Sequence, residues 1–261
     1  MPVCNAYETV DGAGDKDGLP PVLVVCDHAS NRVPKSINGG ALGLPEADMS
    51  RHIAYDIGAR GVTLALADRL GASAVLSRFS RLVIDPNRGD DDPTQVMQLY
   101  DGTIIAANAR LSPETIAARR AELTEPYHAA ITQQIEAQIA KGTPPVVLSI
   151  HSFTPQLSGR RVRPWQLGIL YAHDDRMARP LLASLRRDTD LIVGDNEPYH
   201  GALIGDCMDR HCLSRGLLHV LIEVRNDLIE TGPDQQAWAA RLSDHLIPLL
   251  SNLPTKEPSD G

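Results

Sequence analysis

The sequence predicts a three-layer α/β/α domain built around a central, mostly parallel or mixed sheet. Two observations carry that prediction. Short apolar runs rich in β-branched residues alternate with longer amphipathic stretches along most of the chain, as buried strands alternate with the helices that cover them. The chain has 261 residues, 43% hydrophobic and 22% charged, which is enough for one large core. No repeat or low-complexity linker divides it, so residues 1–261 read as a single domain, with 1–19 and 254–261 as flexible tails.

The apolar runs Val22–Cys26, Ala74–Leu76, Leu82–Ile84, Val146–Ile150, Leu167–Tyr171, Leu191–Val193 and Leu218–Val224 predict strands. Helices are expected over about 48–70, 112–141, 174–187, 207–215 and 234–250. In the first, Ile53, Ile57, Val62, Leu66 and Leu70 fall on roughly one helical face. Ser112-Pro113 is a start signal and Gly142 a stop. Pro126 inside that segment predicts a kink or break near Thr124. The stretch 86–110, rich in Asp, Gly and Asn, reads as a functional loop.

Several function classes drop out. A formal charge of −8 without a Lys/Arg block gives no footprint for nucleic acid. No apolar run approaches the roughly 18–20 residues of a membrane span, and no basic amphipathic helix offers an interfacial anchor. The polar N-terminus lacks a signal-peptide pattern, and the four cysteines form no CxxC pair, so a cytoplasmic protein with reduced thiols is expected. The nucleophile elbow of serine hydrolases and the glycine-rich nucleotide loops are both missing.

Three predicted strands end on chemistry-bearing residues. The run from Val22 leads into His28, the run from Val146 into His151, and the run from Leu218 carries Glu223. Ligands of open α/β sheets bind beyond the carboxyl ends of the strands, so two imidazoles and a carboxylate there can hold a metal and a general base in one cleft. A fourth segment, Ser80-Arg-Leu-Val-Ile-Asp-Pro-Asn-Arg88, presents Asn87 and Arg88 from a turn, where arginine suits bidentate capture of a carboxylate. Arg81 alternates onto the same face as Asp85, and Arg225 onto that of Glu223. Arg163 follows the second histidine, as a candidate to polarise a scissile carbonyl. Tyr199 and His200 sit in a turn-like NEPYHG segment. His128 and His245 lie on helical stretches and read as structural.

These segments carry a resemblance. HSF after a strand, DPNR after a strand and a strand-borne IEVR resemble the zinc carboxypeptidase superfamily. DHASNRVP, RHIAYDIG, SRLVIDPNR, IHSFTP with RPW, NEPYHG and HVLIEVRNDLI, in that order, resemble more closely the N-formylglutamate amidohydrolase family, over residues 20 to 250. The resemblance implies a zinc carboxypeptidase-like fold and a hydrolase of the amide bond of small, acidic N-acyl amino acids. It makes His28 and His151 ligands of one zinc ion, Glu223 the general base and acid, and Asn87 with Arg88 the carboxylate clamp. Where the carboxypeptidase pattern has Glu three residues after the first histidine, this chain has Asn31. A neutral amide oxygen is a poor zinc ligand, so Asp56 is the expected third ligand and Asn31 the alternative. The substitution also leaves a rival reading, a non-catalytic protein that binds a metal or an acyl amino acid.

Overall fold

The computed structural model describes residues 6–14 and 18–253. Strands β1 (Tyr7–Val10), β2 (Val22–Cys26) and β3 (Ser73–Ser77) come first. The small hairpin β4 (Leu99–Tyr100) and β5 (Thr103–Ile104) follows, and β6 (Val146–Phe153), β7 (Leu167–Leu170), β8 (Val193–Asp195) and β9 (His219–Arg225) complete the strands. Seven of them form one sheet in the order β1-β3-β2-β6-β9-β7-β8. The central four, β3-β2-β6-β9, run parallel, β1 lies antiparallel on β3, and β7 and β8 run against β9. The protein is a mixed α/β fold with a central, mostly parallel sheet flanked by helices.

The helices are α1 (Glu46–Met49), α2 (Ala59–Leu70), α3 (Pro113–Arg119), α4 (Glu125–Ile139), α5 (Ala178–Leu185), α6 (Cys207–His211) and α7 (Gly232–Ser251). One face of the sheet packs against α2, α5 and α7 through residues such as Leu66, Leu182 and Leu242. The other packs against α4 and the segments around Ile53 and Phe79–Ile84. Strands β2 and β6 are buried along their whole length, as expected where helices cover both faces. Thr231 and Asp234 cap α7 reciprocally, and Ser112 caps α3 with Pro113 in its first turn.

Three expectations need correction. Tyr7–Val10, expected in a flexible tail, is an edge strand whose register against β3 runs Tyr7 opposite Ser77; residues 254–261 lie outside the described ones. The helix expected over 48–70 is two helices, because Gly58 takes a left-handed φ of 78° and turns the chain sharply between Asp56 and α2. The kink or break expected near Thr124 takes the form of a π-helical turn over Arg120–Thr124, and α4 continues from Glu125 through Pro126 without ending there. Such bulges recur at functional sites.

The third correction concerns Leu82–Ile84, an apolar run that forms a buried turn and no strand. Without a ladder, its carbonyls need other donors. The Asn108 side chain donates to the Leu82 and Met97 carbonyls, both at 2.7 Å. Arg119 Nη1 donates to the Val83 carbonyl at 2.7 Å and to Asn108 Oδ1 at 2.8 Å. His128 Nε2 donates to the Pro86 carbonyl at 3.0 Å. Three side chains thus take the place of a neighbouring strand. Arg119 is 3% exposed, so Arg119→Met should orphan a buried carbonyl and lower unfolding free energy by about 1–3 kcal/mol. Urea denaturation checks this; an unchanged midpoint would mean the turn is held by other contacts.

Candidate metal centre and carboxylate clamp

The parallel strands bring the predicted residues to one edge of the sheet. His151 and Glu223 are direct partners in the β6–β9 register, and His28 follows the end of β2, one strand over. The His28 and His151 rings meet edge to face with centroids 5.1 Å apart. Asp56 comes from the turn before α2, tethered by its own amide to the His28 carbonyl at 2.9 Å. Its Oδ2 lies 3.3 Å from His28 Nδ1 and 2.8 Å from His151 Nδ1. Ligand atoms of His28, Asp56 and His151 all fall within 4.8 Å of one another, and all three residues are buried.

The outward nitrogens are held as well. His28 Nε2 donates to Asp85 Oδ1 at 2.7 Å. His151 Nε2 donates to Asp27 Oδ2 at 3.0 Å. Asp27, fully buried, also accepts from the Tyr127 hydroxyl at 2.8 Å. Carboxylates on the far nitrogen fix the tautomer and orientation of metal-binding histidines, and leave Nδ1 of each ring facing the centre.

Electrostatics follow from that bracketing. Burial alone would raise the pKa of Asp27, but the His151 bond and charge, His28 and Tyr127 outweigh it and hold it at about 2. Burial of Asp56 is likewise outweighed, by His28 and His151, and burial of Asp85 by Arg81 and His28; both stay below the usual carboxylate range. Burial opposes a charge on His151, yet its bonds to Asp27 and Asp56 push it well above the ordinary imidazole value. Without a metal, the proton on its Nδ1 points at Asp56. Two nitrogens and a carboxylate oxygen are a donor set that suits zinc, and a divalent ion among them would displace such protons.

Glu223 has the opposite environment. It is 7% exposed and its Oε2 has no hydrogen-bond partner among the described residues. Burial, with Asp56 adding to it, pushes its pKa up to about 7 against the pull of His151, Arg81 and His28. A carboxylate held between its two protonation states near neutrality suits proton transfer.

The residues expected to clamp the carboxylate lie on the buried turn. Asn87 Oδ1 accepts from the Cys207 amide at 2.9 Å, which orients the side chain and leaves its Nδ2 without a partner among the described residues. Arg88 gives Nη1 to the Asn87 carbonyl and Nε to Thr94, so Nη2 remains. Arg81, expected to bind substrate, directs its guanidinium to carboxylates: Nη2 to Asp85 Oδ2 at 2.7 Å and Nη1 to Asp56 Oδ1 at 3.4 Å. Arg163 reaches the end of β6 through the Thr154 carbonyl at 3.0 Å and stacks over Tyr199 at 4.8 Å.

Two expected residues fall elsewhere. The Asn31 side chain is exposed and donates to the Met49 carbonyl at 2.9 Å, whereas His28, Asp56 and His151 are buried. Arg225 pairs with its neighbour Asp227 at 2.8 Å and makes no bond to Glu223, because the turn after β9 presents a nearer carboxylate. His245 bonds Ser184 between α7 and α5, as a structural histidine does. Sequence reading missed Asp27 and Tyr127. Their pairing spans 100 residues, and the only local signal was an aspartate beside a strand-end histidine.

Known proteins share this arrangement of chain. The sequence model of the family described as N-formylglutamate amidohydrolase matches residues 20–230. An N-formylglutamate deformylase of Pseudomonas aeruginosa is 27% identical over 170 residues, 59% of this chain and 60% of that protein. A second deformylase, from Pseudomonas putida, is 29% identical over 133 residues, 46% of each chain. The matches thus span about half to three fifths of these relatives' length. The crystal structure of a gene product from Agrobacterium tumefaciens superposes with a TM-score of 0.85 at 35% identity, covering 94% of this chain and 96% of that one. The N-formylglutamate amidohydrolase of Ralstonia eutropha shares the fold, with a TM-score of 0.62 at 22% identity over 95% of this chain and 96% of that one. Since the family match takes in most of its 261 residues, the chain belongs to the N-formylglutamate amidohydrolase family.

Proposed function

We propose that the protein hydrolyses the amide bond of a small, acidic N-acyl amino acid, N-formylglutamate first among them, with one zinc ion held by His28, His151 and Asp56. One observation carries the reading. Three inward-facing ligand atoms within 4.8 Å of one another stand beside a buried carboxylate oxygen that has no partner among the described residues. Family membership and the deformylase relatives support the substrate class.

Zinc in such a site acidifies water and polarises a carbonyl. The chain's own groups do the rest. Asp85 and Asp27 hold the imidazoles with Nδ1 inward. Glu223 takes the proton of the attacking water and returns it to the departing amine, which must be protonated to leave. Arg163 stands by the acyl oxygen. Asn87 Nδ2 and Arg88 Nη2 bind the substrate's carboxylate, and fixing that end orients the acyl carbon. Arg81 supports Asp85 and Asp56.

Three outcomes test this. Glu223→Gln keeps the shape but cannot accept the proton, so turnover of N-formylglutamate should fall about 10²–10⁴-fold with zinc stoichiometry unchanged; near-normal turnover in a folded, loaded variant removes Glu223 from the chemistry. Arg88→Ala should weaken binding of an acidic substrate about 30-fold or more and spare an uncharged amide, whereas equal losses would reject the clamp. Chelation should abolish hydrolysis and stoichiometric zinc restore it, with His28→Ala or His151→Ala failing to retain the ion. A protein that takes up zinc at this site but leaves N-formyl and other N-acyl amino acids intact would be a binding protein.

A further inference from the structure

The clamp turn is braced from behind by a pair of histidines that the proposed chemistry does not use. His128, on α4, is 8% exposed, and His211, at the end of α6, is 2% exposed. His128 Nε2 lies 3.0 Å from the Pro86 carbonyl and its Nδ1 lies 2.9 Å from His211 Nε2. A carbonyl can only accept, so His128 carries its proton on Nε2. Burial holds both rings well below the ordinary imidazole value, His128 at about 4 and His211 at about 3, so both are neutral at pH 7. His128 Nδ1 is then a bare lone pair, and His211 must donate to it from Nε2. His211 Nδ1 in turn faces the Thr132 hydroxyl at 3.5 Å. One arrangement of protons satisfies the whole chain, in a single direction from Thr132 through both rings to Pro86.

The short helix that carries His211 also touches the turn directly, where the Cys207 amide donates to Asn87 Oδ1. The two contacts fall on Pro86 and Asn87, immediately before Arg88. We infer that His128 and His211 are positioning residues for the substrate's carboxylate: their relay fixes Pro86 and, through it, the Asn87–Arg88 edge. The inference rests on the clamp reading above. The turn also touches the metal support, since the Asn87 amide donates to Asp85 Oδ1 at 2.9 Å, but Asp85 is held in addition by Arg81 and by its own amide's bond to the Gln95 carbonyl at 2.7 Å. Removing the brace should therefore act on binding of the carboxylate and leave the metal centre in place.

The test compares His128→Phe, His128→Gln and His128→Asn in the zinc-loaded protein, on N-formyl-L-glutamate and on its diamide, which has no carboxylate. A Gln amide nitrogen can reach the place of the imidazole Nε2 and donate to Pro86; Asn, shorter, cannot. For His128→Phe, KM on the dicarboxylate should rise about 10- to 100-fold, since a displacement near 1 Å is enough for such losses. The turnover number, the zinc content and kcat/KM on the diamide should stay within about threefold, the residual scatter of a remote contact. His128→Gln should restore the wild-type KM. Should the Phe variant fail to fold, His128→Asn takes its place, with the same rise in KM. An unchanged KM in a folded Phe or Asn variant, or equal losses on both substrates, would overturn the positioning role. A wild-type protein that hydrolyses neither substrate would instead overturn the function on which the inference rests.

Discussion

A chain of buried charges, Asp85–His28–Asp56–His151–Asp27, is the constraint on which the rest of the structure depends. Its links are 2.7 to 3.3 Å long and its members at most 4% exposed. Charges so deep are costly unless paired, and removing one partner of a buried pair costs about 3–5 kcal/mol. Three carboxylates are set against one guanidinium, that of Arg81, which reaches Asp85 and Asp56. Two more positive charges are needed for neutrality, and ring protons or one divalent cation can supply them. The cluster is thus compatible both with the protein alone and with a metal at its centre, without rearranging the carboxylates that orient the rings.

The fold supplies the members from four separate segments. Asp27 and His28 follow β2, His151 lies in β6, and Glu223 lies in the neighbouring strand β9. Asp56 and Asp85 come from turns that pair with no strand. Helix α4 supports two of these places with adjacent side chains: Tyr127 reaches Asp27 and His128 reaches Pro86. The π-helical turn just before α4 lies upstream of both. Next to β9, β7 runs antiparallel, so its start lies at the site and the preceding loop can deliver Arg163 there. Gly168 in β7 is needed for the same reason: a Cβ would overlap the Glu197 carbonyl oxygen as the chain bearing Tyr199 folds back.

How much of this was legible depended on whether the physics was local. Strand-end histidines and Glu223 stood out because an apolar β-branched run ending in a titratable residue has few other uses, and the register then made His151 and Glu223 neighbours. Asp56 over Asn31 followed from ligand chemistry. The run Leu82–Ile84 misled because apolar residues report burial, and burial here comes from a turn whose carbonyls are served by Asn108, Arg119 and His128. Those partners lie 26 to 42 residues away, and no periodicity encodes them. Arg81 and Arg225 were read from strand alternation alone, which says which face a side chain takes but not which carboxylate lies nearest.

The central claim is that the two Nδ1 atoms and Asp56 form one metal site oriented by carboxylates behind the rings. Anomalous diffraction from a crystal of the zinc-loaded protein, recorded on both sides of the zinc absorption edge, tests it most directly. The account predicts a single strong peak about 2.0–2.2 Å from His28 Nδ1, His151 Nδ1 and an Asp56 oxygen, with Nε2 of each ring still bonded to Asp85 and Asp27. A peak bound through Nε2, a peak on Asn31, or zinc located away from these three residues would contradict it.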